Sequence, residues 1–391
     1  MPVPKTAIIV GGSLAGLFHG LYLKRHGSHV IILEHDSSWM RSSHQAGIGF
    51  GPGVEEILRK YDGTGVQSST PSVTARIAYR KRANFRELKV VRHLTSWGLL
   101  YRILRANFDG LASEAVPNPP PARDGDGKAE YRAGQRVTAL RYENGVVTVG
   151  FVGKDGVSDS LTADLVIGAD GMHSTVRDLV QASTVKEYSG YIICYAIPPD
   201  SGSFAPGTRL INWVWYYNLP DPSGTALAEV LTDTTGRTHS NTVPAGLVRP
   251  EVWQKHLAAA LPTMAAPFAA LLSATHQPFV TKVNDALCDR AVFHDGKVVL
   301  VGDALAAFRP HLAVATEQAA RHCLGLARVW EGEMTVEQWA REATGYGKRM
   351  WLASRVLGIF GLGSWGQLLK ALWVYLVFIV KLKLGKGPRG C

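Results

Sequence analysis

The sequence has little cysteine and lacks the features of an exported protein. Its four cysteines, Cys194, Cys288, Cys323 and Cys391, include no pair at CxxC spacing, which excludes a zinc ribbon and a disulfide scaffold. We therefore expect no metal site. The N-terminal segment MPVPKTAIIV has neither the basic start nor the long apolar stretch of a signal peptide, so a cytoplasmic location is predicted. Charged residues make up only 19% of the chain and hydrophobic residues 46%, which excludes an intrinsically disordered protein.

Acidic residues are fewer than basic ones. Asp and Glu total 32 against 42 Lys and Arg, which gives a net charge of +10. Such a surplus favours anionic partners, namely nucleotides, nucleic acid or anionic lipid. The basic residues are dispersed and no known DNA- or RNA-binding module is present, so we expect no nucleic-acid partner. The chain is long enough for roughly two to three domains.

The first 34 residues predict a βαβ unit with a glycine turn. An apolar run at residues 7–10 precedes the turn GGSLAG, a helix follows from Leu14, and a second strand ends at Glu34. Gly11 and Gly16 hold the outer positions of a dinucleotide-binding turn, although Ser13 replaces its middle glycine. Backbone amides at the start of this helix would point at phosphates. Glu34 can bind ribose hydroxyls and would repel a 2′-phosphate, which favours FAD or NAD over NADP at this turn.

Two further turns follow buried strands, and together the three carry a family resemblance. The second is ADLVIGADGMHSTVR at residues 163–177, and the third is VGDA at 301–304, followed by Arg309-Pro310-His311. In this order, over about residues 5 to 350, they resemble the class A FAD-dependent monooxygenases of the p-hydroxybenzoate and salicylate hydroxylase type. The segments at 209–216, 242–246 and 309–311 are similar to the 2,6-dihydroxypyridine 3-hydroxylase branch.

The resemblance implies an α/β fold in which a Rossmann-like FAD-binding domain is interleaved with a β-sheet substrate domain, with a helical C-terminus. The predicted boundaries are 1–70, 100–182 and 286–350 for the discontinuous FAD-binding domain, 71–99 and 183–285 for the substrate domain, and 351–391 for the C-terminal helix and tail. A helix is also predicted from Trp97 to Ala115, because Leu100, Leu104, Phe108 and Leu111 share one side.

The resemblance also implies which residues contact FAD. Asp303 would bind the ribityl chain, Gly47 would lie near the isoalloxazine, and amides after Pro310 would stabilise negative charge on the reduced ring. The usual His and Gly of this last segment are replaced by Ala306 and Ala315. The predicted FAD contacts are Gly11, Gly12, Ser13, Leu14, Ala15, Gly16, Glu34, Gly47, Arg102, Asp170, Asp303, Ala313, Val314 and Ala315. Asp170 has the alternative of shaping its turn, and Arg102, like Arg105, that of a solvated helix face.

The predicted substrate residues lie mainly on an alternating aromatic strand. In residues 211–217, Trp213 and Trp215 share one face and Tyr216 the other, and in the family one face of such a sheet covers the substrate. The alternative is that the tryptophans pack against helices. The predicted substrate contacts are Trp213, Trp215, Tyr216, Tyr191 and Pro310. His311 is the predicted catalytic residue, since a neutral imidazole can accept a substrate hydroxyl proton near pH 7.

By resemblance, NADH or NADPH reduces FAD, and O2 then forms a flavin C4a-hydroperoxide that hydroxylates or epoxidises an electron-rich aromatic, heteroaromatic or alkene. Arg25, Arg41 or Arg177 could meet the nicotinamide nucleotide. Two alternatives stay open. One is a flavin-binding protein that folds or cyclises a reactive substrate without activating oxygen. This alternative is considered because Ser13, Ala306 and Ala315 replace the residues usual in the family. The other is a flavin-dependent halogenase, disfavoured because Tyr217-Asn218 stand where its WxWxIP motif requires Ile-Pro.

The C-terminus combines an apolar run with a basic tail. Residues 356–380 carry one charge, Lys370, and Lys381, Lys383, Lys386 and Arg389 follow. An apolar segment with Trp and Tyr beside basic residues is typical of an interfacial membrane anchor. The alternative is a helix docked on the catalytic core or on a second copy in a homodimer.

Overall fold

The computed structural model describes residues 1–38, 40, 46–78, 86–180, 192–205, 207–219 and 224–384. The strands are β1 Thr6–Val10, β2 His29–Glu34, β3 Gly47–Phe50, β4 Thr70–Ala78, β5 Arg86–Ser96, β6 Ala129–Ala133, β7 Arg136–Glu143, β8 Val146–Val152, β9 Ser158–Ala163, β10 Leu165–Gly168, β11 Ile192–Ile197, β12 Leu210–Trp215, β13 Thr242–Val243, β14 Val280–Thr281, β15 Ala286–Leu287, β16 Val292–Phe293, β17 Val298–Leu300 and β18 Ala306–Ala307. The helices are α1 Leu14–Arg25, α2 Pro52–Tyr61, α3 Trp97–Asp109, α4 Thr175–Leu179, α5 Thr225–Leu231, α6 Pro250–Ala260, α7 Ala266–Ser273, α8 Ala315–Trp330, α9 Val336–Leu362 and α10 Trp365–Lys383.

A six-stranded sheet brings the three predicted turns together. Its order is β16-β17-β10-β1-β2-β6, and all neighbours are parallel except β16 and β17. Val10 pairs with Gly168, and Gly168 pairs with Leu300, so β1, β10 and β17 end side by side. Carboxyl ends of adjacent parallel strands are where ligands bind in such sheets. The predicted α/β fold class is confirmed.

A five-stranded antiparallel sheet stands beside the first, in the order β12-β11-β4-β5-β3. One of its faces packs against α6 and α7, around the buried side chains of Leu257, Phe268 and Leu272. The helices α1, α3 and α8 pack together on the parallel sheet, and β7, β8 and β9 form a smaller antiparallel sheet. β7 and β8 form a hairpin, with Asn144 and Gly145 both at positive φ in its turn.

Three predicted elements have different bounds in the structure. The helix predicted to reach Ala115 ends at Asp109, because Gly110 adopts the left-handed conformation (φ 72°) that commonly ends a helix. The apolar run at 356–380 is not one helix. α9 continues through it to Leu362, and α10 begins at Trp365 after a capping box on Ser364. Residues 225–231, within the predicted β-sheet substrate domain, form α5.

Candidate cofactor and substrate site

The turn after β1 has no room for side chains at its two outer glycines. Gly11 has a φ of 102°, and a Cβ there would lie 2.5 Å from the Ala169 carbonyl oxygen. A Cβ on Gly16 would lie 2.0 Å from the Gly11 oxygen. The N-cap residue Ser13 makes no side-chain hydrogen bond to α1. The first amides of α1 are thus left without a capping side chain and can bind an anionic group.

Glu34 is buried at the end of β2, directly beside this turn. One carboxylate oxygen accepts a hydrogen bond from the Gly12 amide at 2.8 Å, and the other accepts one from the Asp36 amide at 2.9 Å. Tyr131 donates its hydroxyl to the Gly12 oxygen at 3.1 Å. These contacts fix the carboxylate at the edge of the turn, where ribose hydroxyls are bound in dinucleotide folds.

Asp303 lies in the turn after β17, and its carboxylate accepts no hydrogen bond from the residues that the structure describes. Burial raises its pKa to about 6, although nearby Arg177 acts in the opposite direction. The preceding Gly302 has a φ of 55° and donates its amide to Nδ1 of the buried His322 at 3.0 Å. Asp303 is half-buried, and hydroxyl donors of a ligand fit such a carboxylate, because partial desolvation of its charge without a donor is costly.

Asp170 and Arg177 join the second and third turns. Asp170 accepts hydrogen bonds from the Ser174 hydroxyl at 2.5 Å and the Val176 amide at 3.1 Å, and so caps α4. Arg177 is buried and donates to the carbonyl oxygens of Ala304 at 3.0 Å and Met172 at 2.5 Å. Both side chains therefore shape the turns. Direct FAD contact by Asp170 remains a prediction.

Arg102 and Arg105, the two arginines of α3 considered as FAD contacts, have different surroundings. Arg102 has a buried Nη1 without a hydrogen bond, 3.8 Å from an Asp200 oxygen, and can therefore donate to a ligand. Arg105 is instead buried in a bidentate pair with Asp109 and lies 3.6 Å over the Tyr131 ring, so its position is structural.

The nicotinamide contact expected of Arg25 or Arg177 does not fit their positions. Arg25 is paired with Asp126, and its side chain is almost entirely buried. Arg177 is engaged with the two turns described above. Arg41 lies outside the described residues.

The two segments predicted to contact the isoalloxazine meet in the structure. A short 3₁₀ turn at Pro310–Leu312 leads to Ala313, which has a left-handed conformation (φ 50°), and α8 begins at Ala315. The N-cap residue Val314 offers α8 no capping side chain. Across from this segment lies β3, where a Cβ on Gly49 would be 3.4 Å from the Ala313 oxygen. A helix N-terminus of this kind favours negative charge placed before it.

One face of β11 and β12 points toward the same region. Asn212 accepts a hydrogen bond from the Gly47 amide at 2.9 Å, and the Tyr195 hydroxyl lies 3.5 Å from the Gly47 oxygen. Because an amide N–H donates to Asn212, its accepting atom is Oδ1, and its Nδ2 is a buried donor without a hydrogen bond. On the same face, Tyr216 contacts the His311 ring edge-on at 4.6 Å between centroids.

Trp213 and Trp215 lie on the opposite face of β12 and pack against a helix, which favours the alternative interpretation of these two side chains. Both pack with Trp253 of α6, at centroid distances of 6.3 and 6.4 Å, in the cluster that contains Phe268. The alternation of the strand is as predicted, and the helices cover its tryptophan face. Tyr191 lies outside the described residues.

His311 is enclosed between Tyr216 and its neighbour Arg309, which forms a buried ion pair with Asp285 at 2.8 Å. Burial, followed by the Arg309 charge, lowers the pKa of His311 to about 3. The imidazole is thus neutral at pH 7, as expected, but it is a weak base. In this setting it is better suited to hydrogen bonding with a substrate than to accepting a proton. Pro310 is exposed beside it.

Three residues near the site were not among the predicted contacts. Glu317 accepts hydrogen bonds from the amides of Gly51, Gly53 and Val54 at 3.2, 3.1 and 3.4 Å, and so joins α8 to the start of α2. The sequence signal for it is only an acid in the first turn of a helix. Asn212 was not predicted either, and His322 is one of two buried histidines of α1 and α8 that nothing in the sequence distinguishes.

Comparisons with known proteins agree with these features. Residues 170–285 match the model of a family described as FAD binding domain-like. A 2,6-dihydroxypyridine 3-monooxygenase of Paenarthrobacter nicotinovorans is 26% identical, with 84% of this chain and 83% of the relative covered. A 6-hydroxynicotinate 3-monooxygenase of Bordetella bronchiseptica has the same identity and coverage. The solved structure of 2,6-dihydroxypyridine-3-hydroxylase from Arthrobacter nicotinovorans matches with a TM-score of 0.69 and 22% identity, and covers 100% of this chain and 95% of that one. The chain is therefore similar to aromatic monooxygenases over most of its length and shares the fold of 2,6-dihydroxypyridine-3-hydroxylase, as its three motifs predict.

Proposed function

We propose that the protein is an FAD-dependent monooxygenase that uses NADH or NADPH and O2 to hydroxylate an electron-rich aromatic or heteroaromatic small molecule. The observation that carries this proposal is that three turns meet at the ends of β1, β10 and β17. It is supported by the similarity to aromatic monooxygenases, which extends over most of the length of this chain and of those relatives. The flavin would supply electron transfer from the nicotinamide and the activation of oxygen.

The residues present fit FAD. The uncapped start of α1 suits the pyrophosphate, and Glu34 suits the ribose. Asp303 has no hydrogen-bond donor among the described residues, and ribityl hydroxyls would provide one. Arg102 has a buried donor available, and the start of α8 would stabilise negative charge on the reduced ring. These are the side chains and amides that we propose hold the cofactor.

The groups around Gly47 favour an uncharged polar ring as substrate. Burial raises the pKa of Tyr195 to about 12, so its phenol is a donor at pH 7, and Asn212 has a further donor beside it. His311 is neutral, and Arg309 is already paired with Asp285. We infer that the site recognises ring hydroxyl or carbonyl groups by hydrogen bonds, as a hydroxypyridine would offer, rather than a carboxylate by an ion pair.

The test is turnover by the purified full-length chain loaded with FAD. Oxidation of NADH and of NADPH is followed with O2 uptake over a panel of hydroxypyridines, phenols and their carboxylated analogues. We expect an uncharged hydroxylated ring to stimulate oxidation and to gain one oxygen atom, while H2O2 release falls. Failure to bind FAD would overturn the proposal. FAD binding without substrate-stimulated O2 uptake would favour a flavoprotein that cyclises its substrate instead.

Three finer points belong to the same proposal. The predicted domain boundaries are supported by the distribution of strands, although β3, within 1–70, pairs in the antiparallel sheet. We propose that the protein works in the cytoplasm, because Cys194, Cys288 and Cys323 are free thiols, which are typical of a reducing compartment. Contact with a membrane surface or with a second copy of the chain would involve the C-terminal helix, because that helix is the most exposed apolar element described.

A further inference from the structure

The helix α10 exposes a continuous line of large apolar side chains. The members of this apolar stripe are Trp365, Leu369, Trp373, Leu376, Val380 and, at the end of the helix, Leu384. Each is between 54% and 69% exposed. At 3.6 residues per turn, these positions fall within about 100° of the circumference, and at 1.5 Å per residue the stripe is about 28 Å long. Soluble monomers seldom expose a contiguous patch of this kind without a partner.

A different face of α10 attaches it to the catalytic part of the molecule. Leu368 and Phe378 are buried, and α10 packs along α9, whose Lys348 lies over the Phe378 ring. In turn, α9 packs against α8 and the Pro310–Leu312 turn of the candidate site. By length and mean hydropathy (19 residues, 1.4) α10 could cross a membrane, with 11% of it buried. Crossing would require detachment from α9, so the packed arrangement allows α10 only to lie along a surface.

The charge around the stripe is of one sign. Residues 343–391 contain no Asp or Glu, and their basic residues are Lys348, Arg349, Arg355, Lys370, Lys381, Lys383, Lys386 and Arg389. Lys370 and Lys381 are exposed on α10 and lie about 40–60° beyond the edge of the stripe. Basic residues that flank an apolar helix face are attracted to anionic lipid headgroups. The two tryptophans of the stripe also favour a position at the membrane surface, because Trp is enriched at membrane–water interfaces.

A second copy of this chain is the weaker candidate for covering the stripe. A face about 28 Å long and about 10 Å wide gives roughly 300 Å², well below the roughly 800 Å² per partner of a stable interface. Two copies related by a twofold axis would also bring basic residues toward one another, since no acid lies in this part of the chain.

We propose that the apolar stripe of α10 binds the anionic surface of a lipid bilayer, with the helix lying in the plane of the interface and still packed on α9. The stripe enters the boundary between headgroups and acyl chains, and the lysines contact the headgroups. This proposal does not depend on the monooxygenase proposal, because it rests on exposure and charge in a helix outside the candidate site.

The test is flotation of the full-length protein with vesicles of phosphatidylcholine alone or with 30% phosphatidylserine. We expect binding to the anionic vesicles that weakens in 0.5 M salt. Leu376→Glu, on the stripe, should reduce binding by about tenfold or more, because it removes a large apolar contact. The matched control is Val374→Glu, which adds the same charge at an exposed position about 80° beyond the edge of the stripe. It should reduce binding by no more than about twofold.

Circular dichroism and NAD(P)H oxidation of both variants establish that they fold, and flotation remains informative if no substrate has been found. Absence of wild-type binding to anionic vesicles would overturn the proposal, as would equal losses from the two substitutions. Light scattering, which measures the mass of the protein in solution, tests the remaining alternative that the stripe binds a second copy of the chain. A wild-type dimer that Leu376→Glu converts to a monomer, without vesicle binding, would assign the stripe to a second copy of the chain.

Discussion

The carboxylate of Glu317 should be a main contributor to stability at the candidate site. It accepts from three amides at the start of α2, and only 9% of its side chain is exposed. In Glu317→Ala, these amides lose their acceptor in a place that water enters poorly, and each such loss costs about 1–3 kcal/mol before relaxation. Since the helix end can move toward solvent, we expect a loss of about 3 kcal/mol in the free energy of unfolding. Glu317→Gln keeps one accepting oxygen but no charge, and should lose about half as much.

Urea unfolding, followed by circular dichroism, measures this loss. The control is Arg321→Ala, which removes the ion pair on the other side of the same carboxylate at 3.1 Å. Arg321 is largely exposed, so that pair is worth at most about 0.5 kcal/mol. If Glu317→Ala cost less than about 1 kcal/mol, or no more than Arg321→Ala, the argument that Glu317 holds the start of α2 would be refuted.

Three further predictions concern titratable groups. Asp303→Asn should weaken FAD binding about tenfold or more in a fluorescence titration, because the carboxylate is the proposed acceptor for ribityl hydroxyls, and unchanged affinity would remove that role. Because the pKa of His311 is lowered to about 3, the pH profile of kcat/KM should be the same near pH 6.5 in the wild type and in His311→Gln. An ionisation near pH 6.5 that is present in the wild type and lost in the variant would instead identify His311 as a general base. Burial lowers the pKa of His19 to about 4 and of His322 to about 3, so their neutral forms stabilise the fold fully above pH 6.5, and this stability is lost as the pH falls toward 3–4. In urea unfolding between pH 6 and 4, His322→Gln should therefore reduce the dependence of stability on pH by up to about 1.4 kcal/mol per pH unit, and an unchanged slope would contradict the assignment.

The parts of the fold that were predictable from sequence are those set by local backbone requirements. Gly11 and Gly16 are needed because any Cβ would meet backbone, and the apolar runs of β1, β10 and β17 are typical of strands buried on both faces. Alternation along β12 was predictable too, but a period of two cannot tell which face a helix covers. That choice depends on α6 and α7, which come later in the chain, and so the sequence alone left open whether Trp213 and Trp215 face a helix or the substrate.

The missed contacts have the same origin. In the sequence, Glu317 is an ordinary acidic residue in the first turn of α8. Its partners were not predictable, because Gly51, Gly53 and Val54 lie more than 250 residues earlier. Hydropathy alone also joined the ends of α9 and α10 into one apolar run. The break between them depends on Ser364, whose capping box with Gln367 starts a new helix within that run.

The order of strands in the parallel sheet has a consequence for synthesis of the protein. β10 pairs with β1 across more than 150 residues, and with β17 across a further 130 or so. During translation, the first glycine turn leaves the ribosome long before β17 and the turn that carries Asp303 have been made. Strand pairings between residues so far apart in sequence form slowly. Until β17 has been made, one edge of β10 in the nascent chain has no neighbouring strand. A chain stopped before residue 298 would therefore expose a sheet edge, and the nascent protein can assemble a complete cofactor cradle only after β17 and the turn that follows it have been synthesised.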